Sequence, residues 1–181
     1  EPVVDPLNYT VALDVAGGDA DLKERLDEAS ALVRDAAKPV SGSLGLLSKA
    51  RTDRENLVAA LYQQARYEGV VTVLIDGRSI DDLPPDADFG AGPVPVSINV
   101  EPGVVFTLGD VRFEGDAAEL APARFGLVEG GDAGSNVILK AETDIVRALK
   151  EEGRPLARVA DRNIVADHKT ATLDVTLIVE A

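Results

Sequence analysis

The sequence has no cysteine, no methionine and no tryptophan, and it has only one histidine. The lack of cysteine excludes disulfides, thiolate nucleophiles and cysteine-ligated zinc sites. A single histidine leaves little material for a catalytic triad or an imidazole metal site. Basic residues are also scarce, since 18 Lys and Arg stand against 32 Asp and Glu, for a net charge of −14. Such an acidic chain repels phosphate, which argues against electrostatic binding to nucleic acid or to an anionic membrane.

Aromatic residues are scarce too, at 4% of a 181-residue chain in which 45% of the residues are hydrophobic. Aliphatic side chains must therefore build the core. No apolar run is long enough to span a bilayer as a helix, and the first residues lack the pattern of a signal peptide. Since the sequence contains no methionine at all, we expect it to be a segment of a longer protein. Its length fits one ordinary domain or two small ones.

An internal repeat favours two small domains. The alternating stretch Val96–Glu101 recurs as Val175–Glu180, and the helical pattern of Leu57–Leu61 recurs at Ile145–Leu149. The matches keep their order along the chain, and the first copy is the longer one, with extra residues early in the copy and near residues 77–92. The sequence therefore predicts two tandem copies of one unit.

The predicted copies are residues 1–103, which include an N-terminal extension, and residues 104–181. Glu101, Pro102 and Gly103 separate them. Because a linker with this composition is short and stiff, we predict a hinge at Pro102 and Gly103 rather than free tumbling of the two copies.

Each copy is predicted to run strand, helix, helix, strand, strand. In the first copy, the apolar residues between Leu22 and Ala36 keep helical spacing after an N-cap at Asp19. Thr52 and Glu55 form a capping box that is expected to open the second helix. Period-two alternation and β-branched residues predict the following strands: Thr10–Val15, Val70–Asp76 and Val94–Val100 in the first copy, and Phe106–Glu114, Leu156–Ala166 and Ala171–Val179 in the second.

The second copy is predicted to hold a weak first helix within residues 117–134, broken by Pro122, and a stronger helix from Ser135 to about Glu152. Helices packed on one face of a three-stranded sheet give each copy an α+β architecture. The inward face of the stronger helix is expected to consist of Ile138, Ala141, Ile145 and Leu149.

The sequence offers few parts for an active site. Its single histidine, His168, falls in the turn of a predicted hairpin, where a solvated surface residue is the commoner outcome. There is no Gly-x-Ser-x-Gly elbow, and no phosphate-binding loop follows the glycines at 130–131. The acidic cluster at residues 81–88 offers oxygen ligands to calcium, but its spacing fits no EF-hand loop. The sequence therefore predicts no enzyme, no cofactor and no metal site.

The end of each predicted second helix and the corner after it carry a resemblance to a known family. Ala60-Leu61 and Arg66-Tyr67 stand there in the first copy, and Ala148-Leu149 and Gly153-Arg154-Pro155 stand there in the second. Together with the tandem strand-helix-helix-strand-strand order and the short Pro-Gly joint, these residues resemble POTRA domains. POTRA domains are the polypeptide-transport-associated modules of the outer-membrane protein assembly superfamily.

More narrowly, Leu46–Gly69 resembles the first such domain of the TamA subgroup, the outer-membrane subunit of the translocation and assembly module, and Val104–Ala181 resembles its second. The resemblance implies the periplasmic portion of a bacterial outer-membrane protein, with a further domain and a β-barrel downstream in the full-length chain. The implied partners are unfolded outer-membrane β-barrel or autotransporter clients and an inner-membrane partner of the TamB kind.

The resemblance also implies that the third strand of each copy is central, so that the second strand is an edge. An edge strand has unpaired N–H and C=O groups that can accept an extended segment by β-augmentation. Val70–Ile75 carries no charge before Asp76, so we expect the first copy to hold the more adhesive edge. The second edge is charged, which would protect it against unwanted pairing, by Arg158, Asp161, Arg162 and Asp167. The predicted binding residues are Val70, Val71, Thr72, Val73, Leu74, Ile75, Arg158 and Val159.

Two alternatives stay open at this point. Neighbouring units could bury both edges, in which case neither strand would bind a partner. The chain could also serve as a structural spacer or an oligomerisation arm of a secretion or cell-division complex, and a stable ring or dimer of the fragment alone would favour that interpretation.

Overall fold

A computed structural model, which describes residues 2–181, divides the chain into two units. Unit 1 takes in the chain up to Leu61 together with Glu68–Gly103, and unit 2 consists of Tyr62–Tyr67 and Val104–Ala181. The later division lies at Gly103, where the sequence pattern changes from one copy to the other. The short segment Tyr62–Tyr67 belongs to unit 2 although it comes from the first copy of the repeat.

Unit 1 consists of short strands and three helices within the described residues. The elements are β1 Pro6–Leu7, β2 Tyr9–Val15, α1 Ala20–Ala29, α2 Ala31–Arg34, β3 Val40–Ser41, α3 Gly42–Gln63, β4 Val70–Ile75, β5 Arg78–Ser79 and β6 Val94–Glu101. The last two residues of α3 are part of the segment that belongs to unit 2.

The main sheet of unit 1 has the strand order β2-β6-β4-β5, and β1 pairs with β3 in a separate small sheet. β6 lies parallel to β2 and antiparallel to β4, so the last strand of the repeat is central, as expected. Alternate residues of β6 fall on the same face because side chains alternate along a strand. Those on the core face are each at most 2% exposed: Val94, Val96, Ile98 and Val100.

A buried carboxylate lies where the predicted first helix is interrupted. The spacing after Asp19 predicts one helix reaching Ala36, whereas the structure has two helices separated at Ser30, which corrects that expectation. The Ser30 hydroxyl oxygen accepts a hydrogen bond from Val33 N–H at 3.2 Å, and the hydroxyl donates to Asp53 at 2.6 Å. Because side chains satisfy the amides that a helix start leaves unpaired, the chain can bend at this point.

Helix α3 begins at Gly42, well before the capping box at Thr52 and Glu55 that was expected to open it. Gly42 has φ +67°, a conformation that costs glycine little and lets the chain turn from β3 directly into the helix. A Cβ at this position would lie 2.8 Å from Oδ2 of Asp5. The Ser-Gly-Ser stretch at residues 41–43 therefore starts a helix, whereas its composition suggests the end of one.

Unit 2 has the strand order β7-β9-β8, with β9 central, parallel to β7 and antiparallel to β8. The predicted α+β fold of two tandem units is thus confirmed. The weak first helix of this copy is reduced to a 3₁₀ turn, which begins at Pro122. The elements are β7 Thr107–Gly115, the 3₁₀ turn Pro122–Phe125, α4 Ser135–Glu151, β8 Arg158–Asp167 and β9 Thr172–Glu180.

Helix α4 places one apolar face on the sheet of unit 2. The inward residues predicted for it are each at most 4% exposed: Ile138, Ala141, Ile145 and Leu149. They belong to the same buried cluster as the alternate residues of β9, which are Leu173, Val175, Leu177 and Val179. Helix and central strand therefore form the core that positions the neighbouring edge strand.

The two longest helices are α3, with 22 residues, and α4, with 17. Charged side chains recur along both of them. Among residues 2–181, none of the helices combines the length with the apolar character that crossing a bilayer would require.

Candidate functional site

A groove lies beside β8, one of the two end strands of the unit 2 sheet. Its volume is about 360 Å³, and most of its lining surface is apolar. We call it the β8 groove. It is lined by Tyr62, Tyr67, Ser135, Ile138, Leu139, Arg162, Ile164, Ala166 and Leu173.

The strand register explains why β8 presents an apolar wall to this groove. Ile164 lies opposite Val175 of β9, and Arg162 lies opposite Leu177. Directly opposed residues of an antiparallel pair share a face of the sheet, and Val175 and Leu177 are buried under the helix. Ile164 is nevertheless 40% exposed. Its side chain is on the core face of the sheet. Because β8 is an edge strand, the side chain is only partly covered.

The opposite wall of the groove comes from α4 and from the Tyr62–Tyr67 segment. Ile138 is 4% exposed and belongs to the core, whereas its neighbour Leu139 is 48% exposed. The rings of Tyr62 and Tyr67 lie 5.0 Å apart with an interplanar angle of 49°. The groove thus combines rigid aromatic and aliphatic surfaces, which suit an apolar side chain from outside.

Tyr67 is fixed in this wall by its hydroxyl group, which donates a hydrogen bond to the carbonyl oxygen of Ala133 at 2.5 Å. Its ring meets Phe106 edge-on, with 5.7 Å between centroids. Burial, followed by the nearby charge of Asp132, raises the pKa of Tyr67 to about 12. The phenol therefore stays neutral at physiological pH and serves as a structural part of the groove.

An ion pair lies at the end of the groove away from the hairpin turn. Arg162 Nη2 donates to Glu142 Oε2 of α4 at 2.9 Å. Arg162 Nε lies 2.9 Å from Oε1 of Glu142. Oε1 is buried and accepts no hydrogen bond among residues 2–181, so its interaction with Arg162 is electrostatic. The Glu142 side chain is 9% exposed, whereas the Arg162 side chain is 50% exposed. The Arg162 side chain is therefore still partly exposed to solvent at the groove.

The other end strand of this sheet, β7, is partly covered. Leu108 donates its N–H to the carbonyl oxygen of Gly131 at 3.0 Å and accepts from Gly130 N–H at 2.7 Å. Among residues 2–181, no strand lies on the outer side of β8. In unit 2, the groove and the uncovered edge therefore occur at the same strand.

In unit 1 the structure places the predicted binding residues Val70–Ile75 in β4. The short strand β5 pairs with β4 at Leu74 and Ile75, so β4 is not the outermost strand of its sheet. Ile80 N–H also donates to the Val73 carbonyl oxygen at 3.1 Å. The expectation that this second strand is an edge is corrected for unit 1, since the connection after β4 folds back over it, whereas the expectation that the first copy holds the more adhesive edge stays a prediction. A binding role for these residues stays a prediction.

The remaining predicted residues lie at the ends of strands. Arg158 begins β8 and pairs with Glu180 at the surface, with 2.5 Å between Nη2 and Oε2. Val159 is half-buried opposite Val179, just before a register shift in the strand pairing. Gly103 follows β6 with φ +66°, and the hinge predicted at Pro102 and Gly103 stays a prediction.

The acidic cluster at residues 81–88 takes part in surface contacts. Asp81 accepts from Arg54 Nη1 at 2.6 Å, and Asp88 accepts from Gly90 N–H at 2.9 Å. Among residues 2–181, no three His, Asp or Glu side chains are grouped so that they could hold a metal ion. Asp81 and Asp88 therefore make surface contacts, with Arg54 of α3 and with the connection itself.

Sequence reasoning missed Leu139 and Ile164 as residues of the groove, and it interpreted Arg162 only as a charge on the edge strand. The charged residues of β8 made this strand look less suited to binding than β4. Alternation nevertheless places Asp161 and Asp167 on the face of the sheet away from the groove. One signal could have pointed to β8. The extra residues near 77–92 have no counterpart between β8 and β9, so only the first copy has enough chain to cover its edge.

Solved structures share this fold. POTRA domains 3–5 of BamA from Haemophilus influenzae match 97% of the chain with a TM-score of 0.61 and 18% sequence identity. POTRA domains 1–2 of the periplasmic domain of Omp85 from Anabaena match 96% with a TM-score of 0.53 and 14% identity. BamA from Haemophilus ducreyi lacking POTRA domains 1–3 matches 97% with a TM-score of 0.59 and 12% identity. The chain therefore has the fold of tandem POTRA domains.

This likeness is one of fold. The chain spans 66% of the Haemophilus influenzae structure, 94% of the Anabaena structure and 29% of the Haemophilus ducreyi structure. The sequence matches no protein-family model and no curated protein.

Proposed function

We propose that this chain is the periplasmic POTRA region of an outer-membrane assembly or translocation protein, and that it binds an extended segment of a client or of an inner-membrane partner along β8. The observation that carries the proposal is the apolar β8 groove beside a strand edge that no other strand in residues 2–181 covers. The fold supports the setting, since the solved structures that share it are parts of BamA and of the periplasmic domain of Omp85.

A segment that lies beside β8 would make two kinds of contact. Its main chain would pair with the outer N–H and C=O groups of the strand, which gives affinity without a sequence requirement. Side chains on its helix-facing side would enter the groove and cover Ile164 and Leu139, which are 40% and 48% exposed. Neither contact needs a catalytic group, a metal or a cofactor, so the proposed activity is binding alone.

The charges on β8 fit a strand that must remain open without aggregating. Asp161 and Asp167 lie opposite Ile178 and Thr172, on the face of the sheet away from α4. Charged side chains on an edge strand discourage unspecific pairing between sheets. They keep negative charge off the groove face of β8, while Oδ1 of Asp161 accepts the main-chain N–H of Arg162 at 2.8 Å.

A weaker second edge remains in unit 1. Val70 is 52% exposed, and among residues 2–181 no strand pairs with the outer side of β4 before Leu74. Since Val71, Val73 and the rest of the core face are buried there, a segment beside β4 would gain main-chain bonds but little apolar contact. We therefore expect β8 to bind more tightly than β4.

The finer assignment follows the sequence resemblance. We infer membership of the TamA subgroup, with an inner-membrane partner of the TamB kind, outer-membrane β-barrel or autotransporter clients, and a β-barrel downstream in the full-length chain. Leu46–Gly69 and Val104–Ala181 are the stretches that support this inference. A full-length reading frame with a C-terminal series of alternating strands would bear it out, and a frame without one would contradict it.

Two adjacent residues of β8 provide the test of binding. Ile164 faces the groove and Val165 faces away from it, and both are partly exposed, at 40% and 53%. We expect Ile164→Lys to weaken binding of a short extended peptide of alternating Val and Thr by about tenfold or more, because a charge would occupy the apolar site. Val165→Lys should change the affinity little. Isothermal titration calorimetry measures both.

A peptide with the same side chains but with N-methylated amides along one edge is the second control. It should lose most of its affinity, because β-augmentation depends on main-chain bonds. Equal affinity of the methylated and unmethylated peptides would contradict the proposal. Light scattering of the chain alone separates the remaining alternative, because a stable dimer or ring would favour an oligomerisation arm.

A further inference from the structure

The guanidinium of Arg162 is only partly used within the chain. Its contacts with Glu142 involve Nε and Nη2, both at 2.9 Å. No second carboxylate among residues 2–181 pairs with this side chain, which is 50% exposed although its partner is buried. An arginine fork has donors on two sides and can bind a carboxylate on each of them. Nη1 and the second N–H of Nη2 are therefore available to a ligand.

A strand placed beside β8 would meet two different side chains, the guanidinium of Arg162 and the apolar side chain of Ile164. They are two residues apart and share the helix-facing side of the sheet, as their partners Leu177 and Val175 show. In a strand added at this edge, residues two apart would lie opposite them in the same way. One side chain of that strand would meet the apolar groove, and the side chain two positions away would meet the guanidinium.

The charge of that second side chain decides how well the strand fits. An added strand would cover the exposed half of Arg162 and remove water from its free N–H groups. An apolar side chain there would leave these donors without partners, which costs free energy. A lysine would add repulsion, whereas a carboxylate would satisfy the donors in a charge-assisted hydrogen bond.

We infer that the β8 groove selects an extended partner segment that carries an apolar side chain and, two residues away on the same face, an acidic side chain held by Arg162. The inference rests on the proposed function, because it requires a strand paired with β8. It assigns to Arg162 the role of a specificity-determining residue, with Ile164 as the apolar contact.

Unit 1 has no equivalent of this selectivity. Val73 lies opposite Ile98 in β4 and β6, as Arg162 lies opposite Leu177 in β8 and β9. Val73 is 1% exposed and carries no charge. Any preference for an acidic segment should therefore belong to unit 2 alone.

Three peptides test the inference. Each is an extended peptide of alternating Val and Thr in which one position, two residues from a Val on the same face, is Glu, Gln or Lys. We expect the affinity to fall in the order Glu, Gln, Lys, with the Glu peptide binding about tenfold or more tightly than the Lys peptide. The preference should shrink as salt is added, because an exposed ion pair is screened.

Variants of the ion pair sharpen the result. Arg162→Gln alone would leave Glu142 buried without its partner and could unfold unit 2, so we would combine it with Glu142→Gln. The double variant should bind all three peptides alike. Glu142→Gln alone frees the guanidinium and should increase the preference for Glu. Arg147→Gln removes an exposed arginine of α4 that pairs with Asp144 and does not line the β8 groove, and it should leave the preference unchanged.

The outcomes separate the two proposals. If the three peptides bind equally well and all shift the amide signals of β8 in NMR spectra, the selectivity is wrong and the proposed function stands. If none of them binds to a chain with native spectra, the proposed function fails and the selectivity fails with it. A preference for Glu that persists in the double variant would also overturn the role of Arg162.

Discussion

The main sheets of the two units share the order first strand, last strand, second strand, and they differ at the outer side of the second strand. Ile75 lies opposite Val96 in unit 1 and Ile164 lies opposite Val175 in unit 2, so the two isoleucines occupy equivalent places. Ile75 is fully buried, whereas Ile164 is 40% exposed. The connection that follows β4 makes the difference, because it forms β5 and pairs with the edge.

The connection covers unit 1 with side chains as well as with a strand. Ile80 and Leu83 are 1% and 5% exposed and belong to the same buried cluster as the strands of unit 1. In unit 2 the corresponding connection is the short turn at residues 168–171, which has no chain to spare. In this chain the long connection therefore covers the edge of unit 1, whereas the short turn leaves the edge of unit 2 uncovered.

The largest effect on peptide binding is expected when the connection of unit 1 is replaced with that of unit 2. Replacing residues 76–95 with residues 165–174 keeps the register of the flanking strands and removes the cover of β4. We expect unit 1 to gain a peptide-binding edge, so that the stoichiometry in calorimetry rises from one peptide per chain to two. A stoichiometry that stays at one, with native NMR signals from β6, would show that connection length is not the cause.

A second difference between the units lies in the partners of their buried carboxylates, since Glu142 of unit 2 pairs with Arg162. Asp53 is fully buried and accepts from the Ser30 hydroxyl at 2.6 Å and from Ala31 N–H at 2.7 Å. Asp53→Ala should destabilise unit 1 by about 3 kcal/mol, because it leaves buried donors unpaired. Urea unfolding followed by the amide signals of β6 and β9 should show the loss in β6 alone.

An exposed ion pair provides the matched control for that variant. Asp81 pairs with Arg54 at 2.6 Å, but its side chain is 66% exposed. Asp81→Ala should cost less than about 1 kcal/mol, since exposed ion pairs stabilise little. Similar losses from the two substitutions would contradict the importance given to the buried carboxylate.

Two neighbouring residues of α4 separate stability from binding within unit 2. Ile138 is 4% exposed and Leu139 is 48% exposed. Ile138→Ala should destabilise the unit by about 3 kcal/mol, as judged by urea unfolding. Leu139→Ala should change stability by less than about 0.5 kcal/mol but weaken peptide binding several-fold. A binding loss that only follows the stability loss would argue against the groove.

The smallest difference between the units is expected in how their stability depends on pH, because each unit contains a tyrosine whose pKa is raised. Burial is the main cause that raises the pKa of Tyr9 in unit 1 and of Tyr67 in unit 2 to about 12 from an ordinary value of 10.0. Since the folded state favours the neutral phenols, their contribution is complete below pH 10 and is lost as the pH rises toward 12. An absorbance titration that ionises both tyrosines near pH 10 would contradict this.

The sequence alone predicts most of the strands, because alternation such as that of Val94–Glu101 depends on which face is buried and needs no long-range information. It also predicts α4, whose apolar residues keep a regular spacing. It does not predict the break at Ser30, since the carboxylate responsible comes from Asp53, far along the chain. The start of α3 was missed because Gly42 and its serines are typical of loops.

The candidate site was harder to predict for a similar reason. The sequence points to edge strands in general, but it cannot show that residues 77–92 fold back over β4 rather than extending away from it. The exposure of Ile164 likewise depends on whether the connection that follows its strand folds back over the edge. The pairing of Arg162 with Glu142 joins a strand to a helix, and no local spacing indicates it.

One NMR titration tests the central claim most directly. The isotope-labelled chain would be titrated with the alternating Val and Thr peptide, while the amide signals of β4 and β8 are followed together. We predict that the signals of Arg158–Asp167 shift and become protected from hydrogen exchange before those of Val70–Ile75 respond. Shifts confined to β4, or no shift in either strand at saturating peptide, would contradict the account.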